Sequence, residues 1–296
     1  MRVLLTGATG FIGRHVLDAL QQRGIDTLTL GRHRPPGDGG FIQADLLHDD
    51  LALRLKGCEA SHLLHLAWYT EPGQFWHSPL NTDWQRASQR LAQAFIAQGG
   101  QHLVAAGSCA EYDWSLGLCC EDETALNPAS LYGQAKNATR LQYETLCHRH
   151  QVRLAWGRVF FPYGQGEPVG KLLPSVRDAL LGQRPAFAIN TEARRDYIHV
   201  SDVAAAFLTL LTSPAQGAYN IGSGQPVRLA ELIKHMAEEL NQDPFPLLNL
   251  SVDRQDEPPL ITADINKLTK LSWCCHTPLE KGIRAFKLKN LNPHIN

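Results

Sequence analysis

The chain has 296 residues, 28 basic against 29 acidic side chains for a net charge of −1, and 44% hydrophobic residues. That balance excludes a disordered chain and a basic nucleic-acid binder, and it provides enough apolar mass for one large domain or two ordinary ones. No apolar run reaches the ~18 residues of a spanning helix, so neither a membrane nor a nucleic-acid partner is expected.

Met1-Arg2 runs straight into Val3-Leu4-Leu5, which reads as a strand rather than a secretory leader, so a cytoplasmic setting is expected. The seven cysteines (Cys58, Cys109, Cys119, Cys120, Cys147, Cys274 and Cys275) include no C-x-x-C pattern. Reduced thiols are expected, and no metal site, because zinc-ligand spacing is missing.

In chain order, Arg2 to Thr6 predicts a buried strand, and Gly13 to Arg23 a helix with Val16, Leu17 and Leu20 at helical spacing. Strands follow at Thr27 to Leu30, Phe41 to Ala44 and His62 to Ala67, then a helix over Asp83 to Gln98. A strand at His102 to Ala106, a helix over Leu131 to His150 and a strand at Arg153 to Phe160 continue the alternation. Beyond these, helices are expected at Lys171 to Leu181, Ser201 to Leu211 and Leu229 to Leu240, with short strands at Tyr197 to Val200 and Ala218 to Ile221. Alternating strands and helices imply an α/β fold with a parallel sheet covered on both faces. The expected organisation is a first domain over residues 1–165, rejoined by segments near 196–225 and 255–265, and a smaller lobe over 166–296.

The first strand leads into Thr6-Gly7-Ala8-Thr9-Gly10-Phe11-Ile12-Gly13, directly before a helix. Glycines at this spacing make a tight turn, admit a pyrophosphate to the backbone and let helix and strand pack closely, while the helix N-terminus attracts phosphate. This is the fingerprint of a Rossmann-type doubly wound sheet that binds a dinucleotide. Asp45-Leu46, after the third strand, is placed to meet the adenine. The second strand ends in Gly31-Arg32-His33-Arg34 with no carboxylate for a ribose 2′-OH. Cations there suit a 2′-phosphate, which favours NADP(H) and leaves NAD(H) as the alternative.

Tyr132 and Lys136 sit four residues apart at the start of a helix and so share a face. A nearby ammonium stabilises phenolate, which fits Tyr132 for proton exchange at a substrate oxygen and Lys136 for tuning it and holding a ribose. Ser108, at the carboxyl end of the fifth strand, can donate to the same oxygen.

These residues resemble the extended short-chain dehydrogenase/reductase superfamily, in its nucleotide-sugar epimerase/dehydratase/reductase branch, over nearly the whole chain. The resemblance extends through His65-Leu66-Ala67, Arg158-x-Phe160, Tyr163-Gly164, Arg195-Asp196-Tyr197-Ile198-His199-Val200, Tyr219-Asn220-Ile221-Gly222-Ser223-Gly224, and Arg254 preceding Asp264. It implies Leu66 and Ala67 at the cofactor, Arg195 and Arg254 on the diphosphate of a nucleotide sugar, and a homodimer through the helices Asp83 to Gln98 and Leu131 to His150. Polar residues Gln142, Thr145 and Arg149 on the second helix leave a monomer open.

Three departures narrow the function. Cys109-Ala110 replace the acidic pair that dehydratases of this branch carry. Phe161 replaces an asparagine that many of the epimerases place on the nucleotide. The carboxylate with which epimerases hold NAD is replaced by Gly31-Arg32. Trp68, Glu111 and Tyr112, at strand carboxyl ends, are expected to wall a sugar pocket. The expectation is therefore an NADP(H)-dependent reductase of a 4-keto (6-deoxy) nucleotide sugar. The alternative is a nucleotide-sugar 4-epimerase with tightly bound NAD. A non-catalytic NADP-sensing regulator is the remote alternative, opposed by the intact Ser108, Tyr132 and Lys136.

Overall fold

A computed structural model describes residues 1–37, 39–254 and 257–288; residues 255–256, in the segment expected to rejoin the first domain, and 289–296 of the expected second lobe lie outside the described residues. The chain runs β1 (Arg2–Thr6), α1 (Phe11–Gln22), β2 (Asp26–Gly31), β3 (Phe41–Gln43), α2 (Leu51–Arg54), β4 (His62–His65), α3 (Leu80–Ala97) and β5 (His102–Ser108). It continues with β6 (Leu118–Cys119), α4 (Leu131–His150), β7 (Arg153–Val159), β8 (Phe161–Tyr163), α5 (Leu172–Leu180), β9 (Arg194–Arg195), β10 (Tyr197–His199), α6 (Val200–Thr212) and β11 (Gly217–Ile221). The last elements are β12 (Val227–Arg228), α7 (Leu229–Leu240), α8 (Phe245–Leu248), β13 (Leu260–Ala263), α9 (Asn266–Thr269) and α10 (Leu279–Leu288).

Seven strands form one sheet in the order β11-β7-β5-β4-β1-β2-β3, and every neighbouring pair is parallel. The expected doubly wound α/β fold is what the chain adopts. Val3, Leu4 and Leu5 are all fully buried, as a strand covered on both faces requires. One face is filled by α1 and α6, which put Val16, Leu17, Leu20, Val203, Phe207 and Leu211 against the sheet. The other carries α3 and α4 with Leu91, Phe95, Tyr143 and Cys147.

Strand order reverses at β1, which has β2 on one side and β4 on the other. The crevice outside the carboxyl ends of β1 and β4 is therefore the topological switch point, where open sheets of this kind take their ligands.

A separate core formed by Tyr163, Leu173, Val176, Tyr197, Leu232, Ile233, Met236 and Ile283 lies largely within the span where the second lobe is expected. The short strands β12, β9, β13 and β6 form a small sheet at the rim, β13 pairing with β6 in parallel. Among the described residues, no helix is long and apolar enough to cross a membrane, and no three His, Cys, Asp or Glu side chains cluster as a metal site needs. All seven cysteines are free.

Candidate active site

The glycine loop turns between β1 and α1. Gly7 has φ +77°, and a Cβ there would lie 2.7 Å from the Ala67 nitrogen. A Cβ on Gly13 would lie 1.9 Å from the Gly7 carbonyl oxygen, so both positions must stay bare for the chain to pack. At Gly10 the nearest atom would be 3.2 Å away, so the need for glycine there points outward, to what approaches the loop. Helix α1 opens with no side-chain cap and no acidic residue in its first turn. Its free N–H groups and positive dipole end thus suit a pyrophosphate. Thr6 is fully buried and shares a 2.7 Å hydrogen bond with His65 Nδ1; His65 Nε2 meets Ser88 Oγ at 2.9 Å. Burial, aided by the Lys136 charge, pushes His65 down to about 3, so the imidazole ties β1 and β4 to α3 as a neutral link.

Leu66 and Ala67 reach the same crevice through β4, and Leu66 N donates to the Thr6 carbonyl at 3.3 Å. Phe11 and Ile12 are half-buried in the first turn of α1. Asp45 accepts from Leu47 N at 2.9 Å and holds its loop, whereas Leu46 is 5% exposed and packs into the core beneath α3. Arg32 is exposed at the end of β2, and the Arg34 guanidinium stacks 5.6 Å over Phe41. The residues present fit a dinucleotide.

Ser108 ends β5 and begins a short 3-10 turn, Cys109–Glu111. Its hydroxyl accepts from Ala110 N at 3.2 Å, and its interaction with the Tyr132 phenol favours the phenolate. Helix α4, capped by Ser130 on Gly133 N at 3.1 Å, packs hard against this turn. A Cβ on Gly133 would lie 2.1 Å from the Ala110 carbonyl oxygen, and this close approach delivers Tyr132 to Ser108. The Tyr132 ring is boxed by Phe75, Trp76 and Trp68 at centroid distances of 4.9, 5.7 and 6.5 Å. Burial pushes the phenol far up, and the Ser108 contact opposes this.

Lys136 lies one turn further along α4. Its ammonium donates to the Ala106 carbonyl at 2.8 Å and lies 3.9 Å over the Trp68 ring, against 5.9 Å to the centre of the Tyr132 ring. Desolvation drives it down to about 7, opposed by the Glu111 charge. An unfolded lysine ionises near 10.4. Below pH 7 the full burial penalty therefore weighs on the fold, and it fades as pH rises toward ~10.4 because the unfolded chain then sheds the proton too. Lys136→Met is accordingly expected to raise the melting temperature at pH 7, with an advantage over the wild type that shrinks by pH 10. An advantage that is flat across a melting series from pH 6 to 10 refutes this.

Two expected pocket residues are corrected. Glu111 and Tyr112 are 0% and 2% exposed and do not wall a pocket. The 3-10 turn rotates Glu111 inward, where it pairs with Arg158 Nε at 2.9 Å and accepts from Trp156 Nε1 at 3.0 Å. The Tyr112 hydroxyl accepts from Arg158 Nη1 and donates to Asn220 Oδ1, each at 2.8 Å. Trp68 is half-buried, its indole N–H donating to Asn81 Oδ1 at 2.9 Å.

Phe161 and Arg195 come together at the mouth of the second lobe, the guanidinium 6.0 Å from the ring centre. Arg195 is buried and paired at 2.7 Å with Glu257. Arg254 is exposed, and its carbonyl accepts from Glu257 N at 2.9 Å, Glu257 being also the partner of Arg195. Sequence reasoning missed Phe75 and Trp76, although an aromatic pair so close after Trp68-Tyr69 was visible. It also missed Glu257 and the Glu111–Arg158 pair.

A model of the NAD dependent epimerase/dehydratase family matches residues 3–222. The chain belongs to that family. It is a nicotinamide-dependent enzyme of the extended short-chain dehydrogenase/reductase type, as the glycine loop and Tyr132-x-x-x-Lys136 led one to expect. A UDP-glucose 4-epimerase of Azospirillum brasilense is 28% identical, covering 92% of this chain and 86% of that protein. A UDP-glucuronic acid decarboxylase 1 of Xenopus tropicalis is 26% identical, covering 95% and 70%. The solved structure of MoeE5 in complex with UDP-glucose and NAD superposes with a TM-score of 0.83 at 27% identity, covering 99% of this chain and 100% of that one. Cys109 and Ala110, expected from the resemblance to stand in place of a dehydratase's acidic pair, are both buried. Burial holds the Cys109 thiol protonated, so it offers no base beside Ser108.

Proposed function

We propose that the protein interconverts nucleotide-diphosphate sugars at carbon 4, as a 4-epimerase with NAD held through the cycle. The observation that carries this reading is the close packing of α4 onto the turn that Ser108 opens, which puts Tyr132 and Lys136 at the carboxyl end of β5 with the glycine cradle across the crevice. When bound, the dinucleotide supplies the site that accepts and returns the carbon-4 hydride. Tyr132 exchanges the proton of the carbon-4 oxygen, Ser108 donates a hydrogen bond to that oxygen, and the Lys136 ammonium offsets the charge of a phenolate. Arg195 and Arg254 take the diphosphate. The reading is supported by the relative from Azospirillum brasilense, a UDP-glucose 4-epimerase aligned along 92% of the chain, and by MoeE5, whose structure holds UDP-glucose and NAD.

Unfolding the purified protein and quantifying released nucleotide tests it. Stoichiometric NAD, together with conversion of UDP-glucose to UDP-galactose, is expected. Protein that releases no nucleotide and leaves UDP-glucose untouched overturns the reading.

One observation favours a second reading, the NADP(H)-dependent reduction of a 4-keto nucleotide sugar. β2 ends in Gly31 with Arg32 exposed beside it and no carboxylate, which suits a 2′-phosphate and a cofactor that leaves each cycle. Cofactor-free protein that oxidises NADPH with a 4-keto nucleotide sugar selects this second reading.

A further inference from the structure

Beneath Ser108 lies a charged pair that the proposed chemistry does not use. Glu111 and Arg158 are 0% and 1% exposed and joined at 2.9 Å. A buried pair of this kind is seldom retained for stability, because well-packed apolar residues of similar volume do as well or better. Its remaining contacts show what it holds. Glu111 Oε1 accepts the backbone N–H of Ser108 at 2.8 Å while the Ser108 hydroxyl accepts Ala110 N, a reciprocal box that locks the turn. Trp156 Nε1 donates to both carboxylate oxygens, at 3.0 and 3.1 Å. Gly107 leaves the space for this, since a Cβ there would lie 2.1 Å from Trp156 Nε1 and 2.5 Å from Glu111 Oε1. On the far side Arg158 reaches the Tyr112 hydroxyl, which reaches Asn220, whose amide donates to the Cys119 and Asp264 carbonyls at 2.8 and 3.0 Å. The carboxylate is thus held from three directions and, through the Ser108 N–H, passes that rigidity to the serine at the active site.

We propose that Glu111 is a positioning residue. Braced by Arg158 and Trp156, it fixes the backbone of Ser108 so that the serine hydroxyl stands at the Tyr132 phenol. The inference rests on the reading that Ser108 contacts the reacting oxygen. Misplacing such a group by about 1 Å costs on the order of a hundredfold in rate.

The test replaces the pair by apolar residues, Glu111→Met with Arg158→Met, so that no charge is left stranded. This variant is expected to fold and retain dinucleotide, to lose 10- to 100-fold in kcat on UDP-glucose, and to change KM less than threefold. Glu111→Gln with Arg158→Met keeps an acceptor for the Ser108 N–H and should recover most of the lost kcat. Added to Ser108→Ala, the methionine pair should cost no more than the glutamine pair, because both lack the Glu111 charge near Lys136 and differ only in the acceptor for the Ser108 N–H. In the ligand-free protein the Ser108 amide should exchange faster in the methionine variant and slow again in the glutamine one. Wild-type kcat in a folded methionine variant overturns the inference, as does a methionine pair that costs more than the glutamine pair in the Ser108→Ala background. Should Ser108→Ala itself turn over UDP-glucose normally, the reading of the site fails first and carries this inference with it.

Discussion

Tyr132→Phe is expected to lower kcat by 10²- to 10⁴-fold, the range that a positioned proton-transfer group supplies. That corresponds to about 3–5 kcal/mol of transition-state stabilisation. The fold should tolerate the change. The ring is held by edge contacts to Phe75, Trp76 and Trp68, all of which a phenylalanine keeps. Only the contact with the Ser108 hydroxyl is lost, so the melting temperature should stay within about 2 °C. Retention of dinucleotide should be close to normal, because the cradle at Gly7, Gly10 and Gly13 lies on β1 and α1 rather than on α4. The diagnostic pattern is a collapse of kcat with bound nucleotide and stability preserved. A Tyr132→Phe enzyme within threefold of the wild type removes Tyr132 from the chemistry.

The state of the site gives this experiment a pH dimension. Burial keeps the Tyr132 phenol protonated at working pH, and the same burial brings Lys136 down to about 7. The cation that stabilises a phenolate is therefore itself titrating near neutrality. On the proposed function, kcat/KM is expected to fall as pH rises through about 7 in the free enzyme. The groups facing Lys136 are few: Glu111 favours its charge, while His65 is neutral and Tyr132 protonated.

Local features were legible in the sequence because their partners are neighbours in the chain. The glycine loop, the Tyr132–Lys136 spacing and helix α4 need only a few consecutive residues to be specified. Direction was less legible than location. Glu111 was rightly placed at a strand's carboxyl end, yet a 3-10 turn of three residues decides whether its side chain meets solvent or Arg158, 47 positions on. The two-residue strands β6, β9 and β12 carry no periodicity of their own. They exist because β13 lies between β6 and β9, and β9 in turn pairs with β12. Arg195 was noticed for its charge, whereas its partner Glu257 lies 62 positions away. Such pairings are set by the closure of the second lobe onto the sheet, which no short window contains.

Asp196 shows how much one overlooked residue of a recognised motif can carry. In the sequence it is the silent neighbour of Arg195; in the structure it is fully buried and serves five donors. Oδ1 accepts from Ser223 N at 2.7 Å and Ser223 Oγ at 2.6 Å, and Oδ2 accepts from Gly224 N at 3.0 Å, Ala263 N at 2.9 Å and Thr262 Oγ1 at 3.3 Å. These contacts clamp the turn after β11 and the end of β13 onto the segment between β9 and β10. Gly222 must be bare for it, since a Cβ there would lie 2.8 Å from Oδ2. Hydrogen bonds to a charged acceptor contribute about 1.5–3 kcal/mol each, and their loss strands buried N–H groups at about 1–3 kcal/mol apiece. These terms do not add fully, yet Asp196→Ala should still exceed ~4 kcal/mol, in the range reserved for breaking a buried network. At roughly 2–4 °C per kcal/mol, the melting temperature should fall by about 10 °C or more. Asp196→Asn keeps one carbonyl oxygen but turns an amide donor toward the other donors, so it should fall between alanine and wild type. Arg195 precedes it directly and takes its backbone register from β12 and β13. The surviving folded fraction should therefore show a raised KM for nucleotide sugar before any loss of kcat. A thermal scan in which Asp196→Ala melts within 2 °C of the wild type contradicts the clamp. Such a result would mean that the lobe closes through its apolar core alone.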